Sequence, residues 1–363
     1  MPRAVRVLFL SIVPSPYQRD LFARLAARDD VEVRVVYCET GSPDSPWPEK
    51  DLASYESVMP GFYLSWGGSR FLVNASVPPV RDADVVVCNG YMTLAAQRLM
   101  RRCRGQVPVL FWGEKMVAAS PGLKGKVQRW IARPLQHVDG FVAIGRGAKE
   151  DYERRYPGKP VHSIPYFCEM EPFREDRPHR PRTPPVILFC GQMIERKGLD
   201  ILLNAFAKVR EADIKARLLL VGREEDLPVM LREIPERFHP DIENAGFQAP
   251  EALPAFFRRA DLFVLPSRYD GWGVVVNQAV GAGLPVIVSD AVGAGPDLVR
   301  EDSNGYVFPS GDADALADSI IRLLRAPRRL AAASDASWKL APDFFPERGA
   351  EMWAEVLHTV RRA

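Results

Sequence analysis

Short apolar runs rich in Val, Ile, Leu and Phe alternate along the chain with longer segments whose apolar residues recur every three to four positions. Runs of the first kind, bounded by turn residues, predict buried strands; spacing of the second kind predicts amphipathic helices. In the first half, strands are expected at Val5 to Ile12, Val31 to Tyr37, Asp84 to Cys88, Val107 to Trp112 and Gly140 to Ile144, with a helix over Tyr17 to Ala27 and helices between most of the others. A second series follows, with strands at Val186 to Cys190, Ala216 to Val221, Asp241 to Gly246, Asp261 to Leu265, Pro285 to Ser289 and Gly305 to Phe308. Its helices are expected at Leu199 to Arg210, Leu253 to Arg259, Val274 to Ala282 and Ala313 to Leu324. Between the two series, Cys168 to Pro185 is rich in proline, arginine and acid and reads as a linker. The alternation predicts an α/β protein with two doubly wound parallel sheets and a cleft between them, ligands lying beyond the carboxyl ends of the strands. The expected division is residues 1–170, a linker over 171–185, a second domain over 186–345, and a C-terminal helix in 346–363 that packs back across the first domain.

At 363 residues, 47% hydrophobic and 26% charged, the chain has room for two globular domains of ordinary size. The apolar core at the start, Val5 to Ile12, is short and broken by Arg6 and Ser11, so it reads as a first strand rather than a signal peptide. No apolar run approaches the roughly 20 residues that span a bilayer. The five cysteines are scattered and lack metal-ligand spacing, which suits a reducing cytoplasm. The net charge of +2 hides an asymmetry: residues 1–182 carry 27 Lys/Arg against 20 Asp/Glu, a balance of +7, and the remainder carries −5. Leu123 to Ile131 contributes to the basic half. It fits a basic amphipathic helix that touches anionic lipid or an acidic acceptor, with an ordinary solvated helix face as the alternative. No nucleic-acid partner is expected.

Two stretches of the second half carry the candidate chemistry. Gly191-Gln192-Met193-Ile194-Glu195-Arg196-Lys197-Gly198 follows the first strand of that half and precedes a helix. Two adjacent cations in a glycine-bounded loop suit a diphosphate, Arg as a fork and Lys as a point charge. Further on, Arg268 to Gly283 reads R-Y-D-G-W-G-V-V-V-N-Q-A-V-G-A-G after the apolar run Leu262 to Ser267. Strand, glycine turn and helix start in that order make an anion site, because the first amides of a helix point outward unpaired. Asp270 and Gln278, eight positions apart, are placed to share one helix face. Neither stretch is a Walker loop, and Gly145-x-Gly147 and Gly293-x-Gly295 lack the third glycine of a dinucleotide fingerprint.

As an ordered set, G-x-x-x-x-R-K-G, L-L-L-V-G, A-D-L-F-V-L-P-S, D-G-W-G-x-x-x-N-Q-A, G-x-P-V-I and N-G-x-x-F closely resemble the retaining nucleotide-sugar glycosyltransferases of the GT-B fold, the large family 4 type, also called glycosyl transferases group 1. The resemblance covers essentially residues 183 to 325. It is weaker before that, through Val13-Pro14-Ser15-Pro16-Tyr17 and Asp84-Val85-Val86-Val87. It implies two Rossmann-like domains, the first for the acceptor and the second for the donor. By the resemblance, Arg196 and Lys197 hold the donor diphosphate and Asp270 meets the sugar hydroxyls. Gly271, Trp272, Gly273 and Val274 then present backbone to sugar and phosphate, Gln278 faces the ribose, and Gly191, Gly222, Arg223 and Phe247 border the nucleotide. On the acceptor side it implies Ser15, Pro16 and Tyr17. In Phe111-Trp112-Gly113-Glu114-Lys115, where many relatives of that family have a histidine, this chain has Glu114 and Lys115 instead; Glu114 is a catalytic candidate that orients the acceptor or the donor sugar, with a salt-bridged loop residue as the alternative.

The chain departs from the family pattern at both ends of its E-x7-E motif, with Asp270 and Gln278 in place of the glutamates. The first keeps the charge and shortens the reach; the second keeps hydrogen-bonding atoms and loses the charge. Neither any of the five histidines nor an Asp-x-Asp motif fits the expected cleft, so transfer without a metal or other cofactor is expected. The resemblance implies a UDP- or GDP-sugar donor and a saccharide or lipid-linked acceptor of cell-surface polysaccharide synthesis. The expected location is the cytoplasm, peripheral at the inner face of the cell membrane. A soluble natural-product acceptor is the enzymatic alternative, and a catalytically impaired nucleotide-sugar binding protein is the alternative from another class.

Overall fold

The computed structural model describes residues 3–41, 51–66, 69–74, 76–117, 120–174 and 182–362. The chain divides into two units, Met1–Phe167 with Pro346–Ala363, and Cys168–Phe345. The second unit thus begins at Cys168, ahead of the 171–185 segment expected as the linker, of which 175–181 lies outside the described residues.

The first unit runs β1 (Val5–Ser11), α1 (Pro16–Ala26), β2 (Val31–Tyr37), β3 (Glu56–Val58), β4 (Gly61–Trp66), β5 (Ser69–Asn74), β6 (Val85–Asn89), α2 (Leu94–Cys103), β7 (Val109–Gly113), α3 (Gly122–Ala132), β8 (Gly140–Ala143), α4 (Arg146–Arg155) and β9 (Val161–Ser163). Its parallel sheet has the order β3-β2-β1-β6-β7-β8-β9, and β4 and β5 form a separate antiparallel hairpin. The second unit runs β10 (Val186–Cys190), α5 (Leu199–Glu211), β11 (Arg217–Val221), α6 (Leu227–Leu231), β12 (Ile242–Asn244), α7 (Leu253–Phe257), β13 (Leu262–Leu265), α8 (Val274–Gly281), β14 (Val286–Ser289), α9 (Gly295–Leu298), β15 (Gly305–Phe308), α10 (Ala313–Leu324) and α11 (Pro327–Leu340). Its sheet order is β12-β11-β10-β13-β14-β15. The last helix, α12 (Pro346–Arg362), lies in the first unit against α1 and β1. No helix among the described residues is long and apolar enough to cross a membrane.

One device recurs at the amino ends of the strands. Asp84, Asp139 and Asp261 each directly precede a strand (β6, β8 and β13) and accept the backbone amide of a residue in the neighbouring one. Asp84 takes the amide of Arg6 at 2.9 Å, Asp139 that of Val109 at 2.7 Å and Asp261 that of Val186 at 2.7 Å. A carboxylate accepting an N–H is a strong, directional contact, so each fixes the stagger of two parallel strands. Arg6 and Arg182 close the first and third as ion pairs.

The strands are apolar on both faces because helices cover both sides of each sheet. In the first unit Phe9, Phe22, Trp112 and Trp353 form an edge-to-face cluster, with Trp353 of α12 at 5.2 Å from both Phe9 and Trp112. The unit closes its fold only with this last helix.

Local pattern misses one element of consequence. Glu56 opens β3, buried, and its carboxylate takes the fork of Arg19 from α1, the amide of Ala53 at 2.8 Å and the hydroxyl of Tyr37 at 2.7 Å. Burial pushes the Glu56 carboxyl up, but these three donors outweigh it and hold it below the ordinary carboxylate range. A depressed folded-state value means the contribution is complete at neutral pH and is lost as pH falls through the carboxylate range. Glu56→Ala should therefore destabilise the protein by about 1–3 kcal/mol, since it leaves the buried Tyr37 hydroxyl unsatisfied and takes the carboxylate from the partly covered Arg19 guanidinium, which keeps the Asp51 carbonyl. Thermal melts from pH 7 to 3 check this: the wild type should lose stability more steeply on acidification than the variant.

Candidate functional site

In the second unit the sequence order of the strands reverses between β10 and β13, and at such a point the loops diverge and leave a crevice at the carboxyl ends. The loop after β10 is Gly191 to Gly198 and the loop after β13 is Pro266 to Gly273. Both sequence-singled stretches thus meet at the switch point.

The two loops approach backbone to backbone. Gly198 has φ +70°, and a Cβ built there would lie 2.0 Å from the Pro266 carbonyl oxygen. The Arg268 amide donates to the Arg196 carbonyl at 2.9 Å, and an Arg196 guanidinium nitrogen reaches the Tyr269 carbonyl at 3.2 Å. The Arg268 fork in turn holds Asp200, in the first turn of α5, at 2.6 and 2.7 Å, and also takes the Glu195 carbonyl. Asp200 keeps the Arg268 guanidinium charged above its ordinary range.

This scaffold delivers Lys197 to Asp270, with Nζ 2.6 Å from Oδ2 and both side chains largely covered. The Ser267 hydroxyl, fully buried, stands 3.5 Å from the same carboxylate oxygen. Arg196 is exposed beside them. Asp270 precedes α8 rather than lying on it. Gly273, at φ +90°, caps the helix, which starts at Val274, so Asp270 and Gln278 do not share a helix face as the eight-residue spacing implied. Asp270 belongs instead to a turn bonded to the loop after β14: its amide donates to Ala291, its carbonyl accepts from Gly293 and the Trp272 carbonyl accepts from Ala294. Gly293 is required there, because a Cβ would sit 2.0 Å from the Gly271 carbonyl oxygen.

Trp272 turns inward. Its ring is 1% exposed and its Nε1 donates to Asn277 Oδ1 at 2.8 Å, itself fully buried. The indole therefore anchors the turn, and the backbone of Gly271, Gly273 and Val274 stays half-exposed on the helix start. Gln278 is half-buried one turn further along α8.

A second group forms at the end of β11. Gly222, at φ +145°, lies so close to Gly191 that a Cβ would meet its carbonyl oxygen at 1.9 Å. The Arg223 guanidinium lies 5.5 Å from the centroid of the exposed Phe247 ring, a cation–π pair on a flat exposed edge. Gly246 accepts from the Gly222 amide and is itself held by Asn244. Cys190 ends β10, and burial pushes its thiol up to about 12 against a smaller opposing pull from Lys197, so it remains a neutral thiol.

The remaining sequence-predicted residues belong to the first unit. Ser15 is buried at the start of α1, where Pro16 takes the first helical position, and Tyr17 meets Tyr166 edge-on at 4.8 Å. Glu114 follows β7 half-exposed, its carbonyl accepting from Tyr152 at 2.6 Å. The sequence reading passed over Ser267, Asn277, Arg268 and Asp200 as site residues. Nothing in their spacing marks them; only the loop contact shows that they set the positions of Lys197, Trp272 and Asp270. The 41–75 stretch of the first unit lies in part outside the described residues.

A protein with a doubly wound sheet, a cation pair and a glycine turn at its switch point is, by fold, of the GT-B class. Among solved structures, sucrose-phosphate synthase of Thermosynechococcus elongatus matches with a TM-score of 0.73 at 18% identity, covering 98% of this chain and 99% of that one. HepE of Anabaena, solved in complex with UDP, also gives a TM-score of 0.73, at 16% identity, over 98% and 100% of the two chains. At that identity the likeness speaks for the fold.

The family model described as Glycosyl transferases group 1 matches residues 184–326, within the second unit. The chain is 32% identical to a phosphatidyl-myo-inositol mannosyltransferase of Mycobacterium leprae over 194 residues, half of each chain. It is 36% identical to mannosylfructose-phosphate synthase of Agrobacterium fabrum over 109 residues, 28% of this chain and 24% of that one. The chain thus spans about half the length, or less, of these curated relatives.

Gly198→Ala should collapse the loop contact. The left-handed conformation alone costs about 1–2 kcal/mol for a residue with a Cβ, before any clash with Pro266. Urea unfolding should show the loss.

Proposed function

We propose that the protein is a glycosyltransferase that moves a sugar from a UDP- or GDP-sugar to a hydroxyl of a saccharide or lipid-linked glycan in cell-surface polysaccharide synthesis. The observation that carries this reading is the adjacency of Arg196, Lys197 and Asp270 at the switch point, beside the amides that open α8. Two cations and outward helix amides suit a diphosphate, and a carboxylate next to them suits sugar hydroxyls. Relatives named for mannosyl transfer and for mannosylfructose-phosphate synthesis support it, as does a structural neighbour solved with UDP.

In this reading the bond between the anomeric carbon and the diphosphate oxygen breaks as the acceptor oxygen bonds to that carbon on the same face. The acceptor proton passes to the departing phosphate oxygen. Arg196 and Lys197 stabilise the negative charge that develops there, the part a metal would otherwise take, so transfer is metal-independent, and attack on the face the diphosphate leaves makes it retaining. Asp270 orients the sugar hydroxyls, Gln278 meets the ribose, and Gly191, Gly222, Arg223 and Phe247 border the base. Ser15, Pro16, Tyr17 and Glu114 serve the acceptor. The site of action is the cytoplasm, peripheral at the inner face of the membrane.

A donor screen with calorimetry and a transfer assay tests the reading. Lys197→Ala should lower turnover by about 10²–10³-fold while moving the melting temperature little. Full activity in that variant would remove Lys197 from the diphosphate role. Binding of a nucleotide sugar with no turnover across a panel of acceptors would favour the non-catalytic alternative, for which Gln278 at a glutamate position is the motive.

A further inference from the structure

We infer that α3 is a docking face that seats the first unit on an anionic lipid bilayer. An eleven-residue helix in an α/β unit ordinarily buries its apolar stripe. In α3 the stripe points outward: Leu123 is 77% exposed, Val127 48% and Trp130 67%. These three fall within about 60° of one another around the helix axis. The one residue of α3 that is buried, Gly125, lies roughly opposite them on the same wheel. A Cβ on Gly125 would meet the Ser120 carbonyl oxygen at 1.8 Å, so the helix is held close to its own loop by its narrow side. Its broad apolar side faces outward.

The charge around that stripe selects the occupant. Lys124 and Lys126 flank it on either side, Arg129 stands beyond Lys126, and all three are exposed and make no ion pair among the described residues. Between Lys115 and Val138 the sequence holds five Lys/Arg and no Asp or Glu. A protein–protein interface is depleted in Lys at its centre, whereas an interfacial helix combines Lys and Arg with Trp and Leu. Trp is also the side chain that sits best at the headgroup level. The patch continues past the helix: the Gln97 amide donates to both the Ile131 and the Tyr91 carbonyls at 2.6 Å, which places the end of α3 beside Met92, 70% exposed. The shared chemistry is an apolar wedge inside a ring of cations, and it fits acyl chains beneath anionic headgroups.

This inference rests on the transferase reading only for its purpose, to bring the acceptor-side unit to a lipid-borne acceptor; the docking itself stands on α3. Co-sedimentation of the full chain with vesicles tests it, using phosphatidylcholine alone and phosphatidylcholine with phosphatidylglycerol. The wild type should bind the anionic vesicles at least about tenfold more tightly than the neutral ones. K124E/K126E/R129E should lose about a hundredfold, and L123A/V127A/W130A about tenfold, with melting temperatures unchanged because neither set is buried. Equal binding to both vesicles, or both variants binding as the wild type does, overturns the inference. So does sedimentation velocity that shows a dimer which the apolar variant dissociates, with no vesicle binding. All three proteins are also assayed for transfer to soluble acceptors. Turnover without vesicle binding sinks the docking alone, and vesicle binding without turnover on any acceptor sinks the transferase reading alone.

Discussion

The second unit depends on one constraint, the contact of bare backbone between the loops that leave β10 and β13. Gly198 against Pro266 leaves no volume for a side chain, and Gly191 against Gly222 repeats the arrangement one strand over. Parallel strands sit about 4.8 Å apart, so neighbouring loops normally splay. Here they are drawn together, and the hydrogen bond from Arg268 to the Arg196 carbonyl is the stitch. Once it is made, Lys197 has little choice of position: it stands over Asp270, and the Arg268 fork on Asp200 prevents α5 from turning away. The glycines therefore act on the geometry by what they omit rather than by any contact of their own.

The sheets beneath are aligned by the same economy. An aspartate directly before a strand, accepting an amide of the next strand, occurs in both units, at Asp84, Asp139 and Asp261. Slipping a parallel pair by one residue would exchange the faces of every side chain, and a carboxylate–amide bond at the strand entrance resists that slip where no turn links the strands. Register set at the amino ends becomes loop position at the carboxyl ends, which is how Asp261 reaches the site without touching it.

Much of this was legible in the sequence because it is local. Strands such as Val31–Tyr37 and Val186–Cys190 are continuous apolar runs, and Ala313–Leu324 is a strongly amphipathic helix that Asp312 caps. The position of the candidate site at the switch point was legible because glycine turns and paired cations are local patterns that fall in the loops after β10 and β13. What escaped is non-local. β3 is three residues long and starts with a carboxylate whose partners, Arg19 and Tyr37, lie 37 and 19 positions earlier, so no window of alternating hydrophobicity reveals it. The strand expected over Asp241 to Gly246 shrinks to Ile242–Asn244, because Pro240 and Asp241 close a 3-10 turn and Asn244 bends the chain back onto Gly246. The helix of Pro327–Leu340 is rich in alanine and serine, and its buried face, Leu330, Ala333, Ser334 and Ser337, is too small and polar to stand out. The eight-residue spacing predicts one helix face for Asp270 and Gln278, but Gly273 in the left-handed region starts the helix four residues too late for that.

That last correction changes what the short side chain at 270 means. Had Asp270 stood on α8, losing a methylene relative to glutamate would simply have withdrawn the carboxylate from whatever it faced. In the turn, its backbone is bonded on both sides to the loop after β14, so the carboxylate cannot advance by a shift of the chain. It is close enough to bond Lys197 directly at 2.6 Å. An ammonium carries three N–H groups, so one spent on Asp270 leaves two, and the pair remains able to face a phosphate oxygen with net positive charge supplied by Arg196 alongside. In the proposed transferase the shortened residue then aligns Lys197 as well as meeting the sugar hydroxyls, and the half-exposed Gly271 and Gly273 beside it share that contact. The neutral Gln278 further along the helix adds a hydrogen-bonding group without adding charge near the diphosphate.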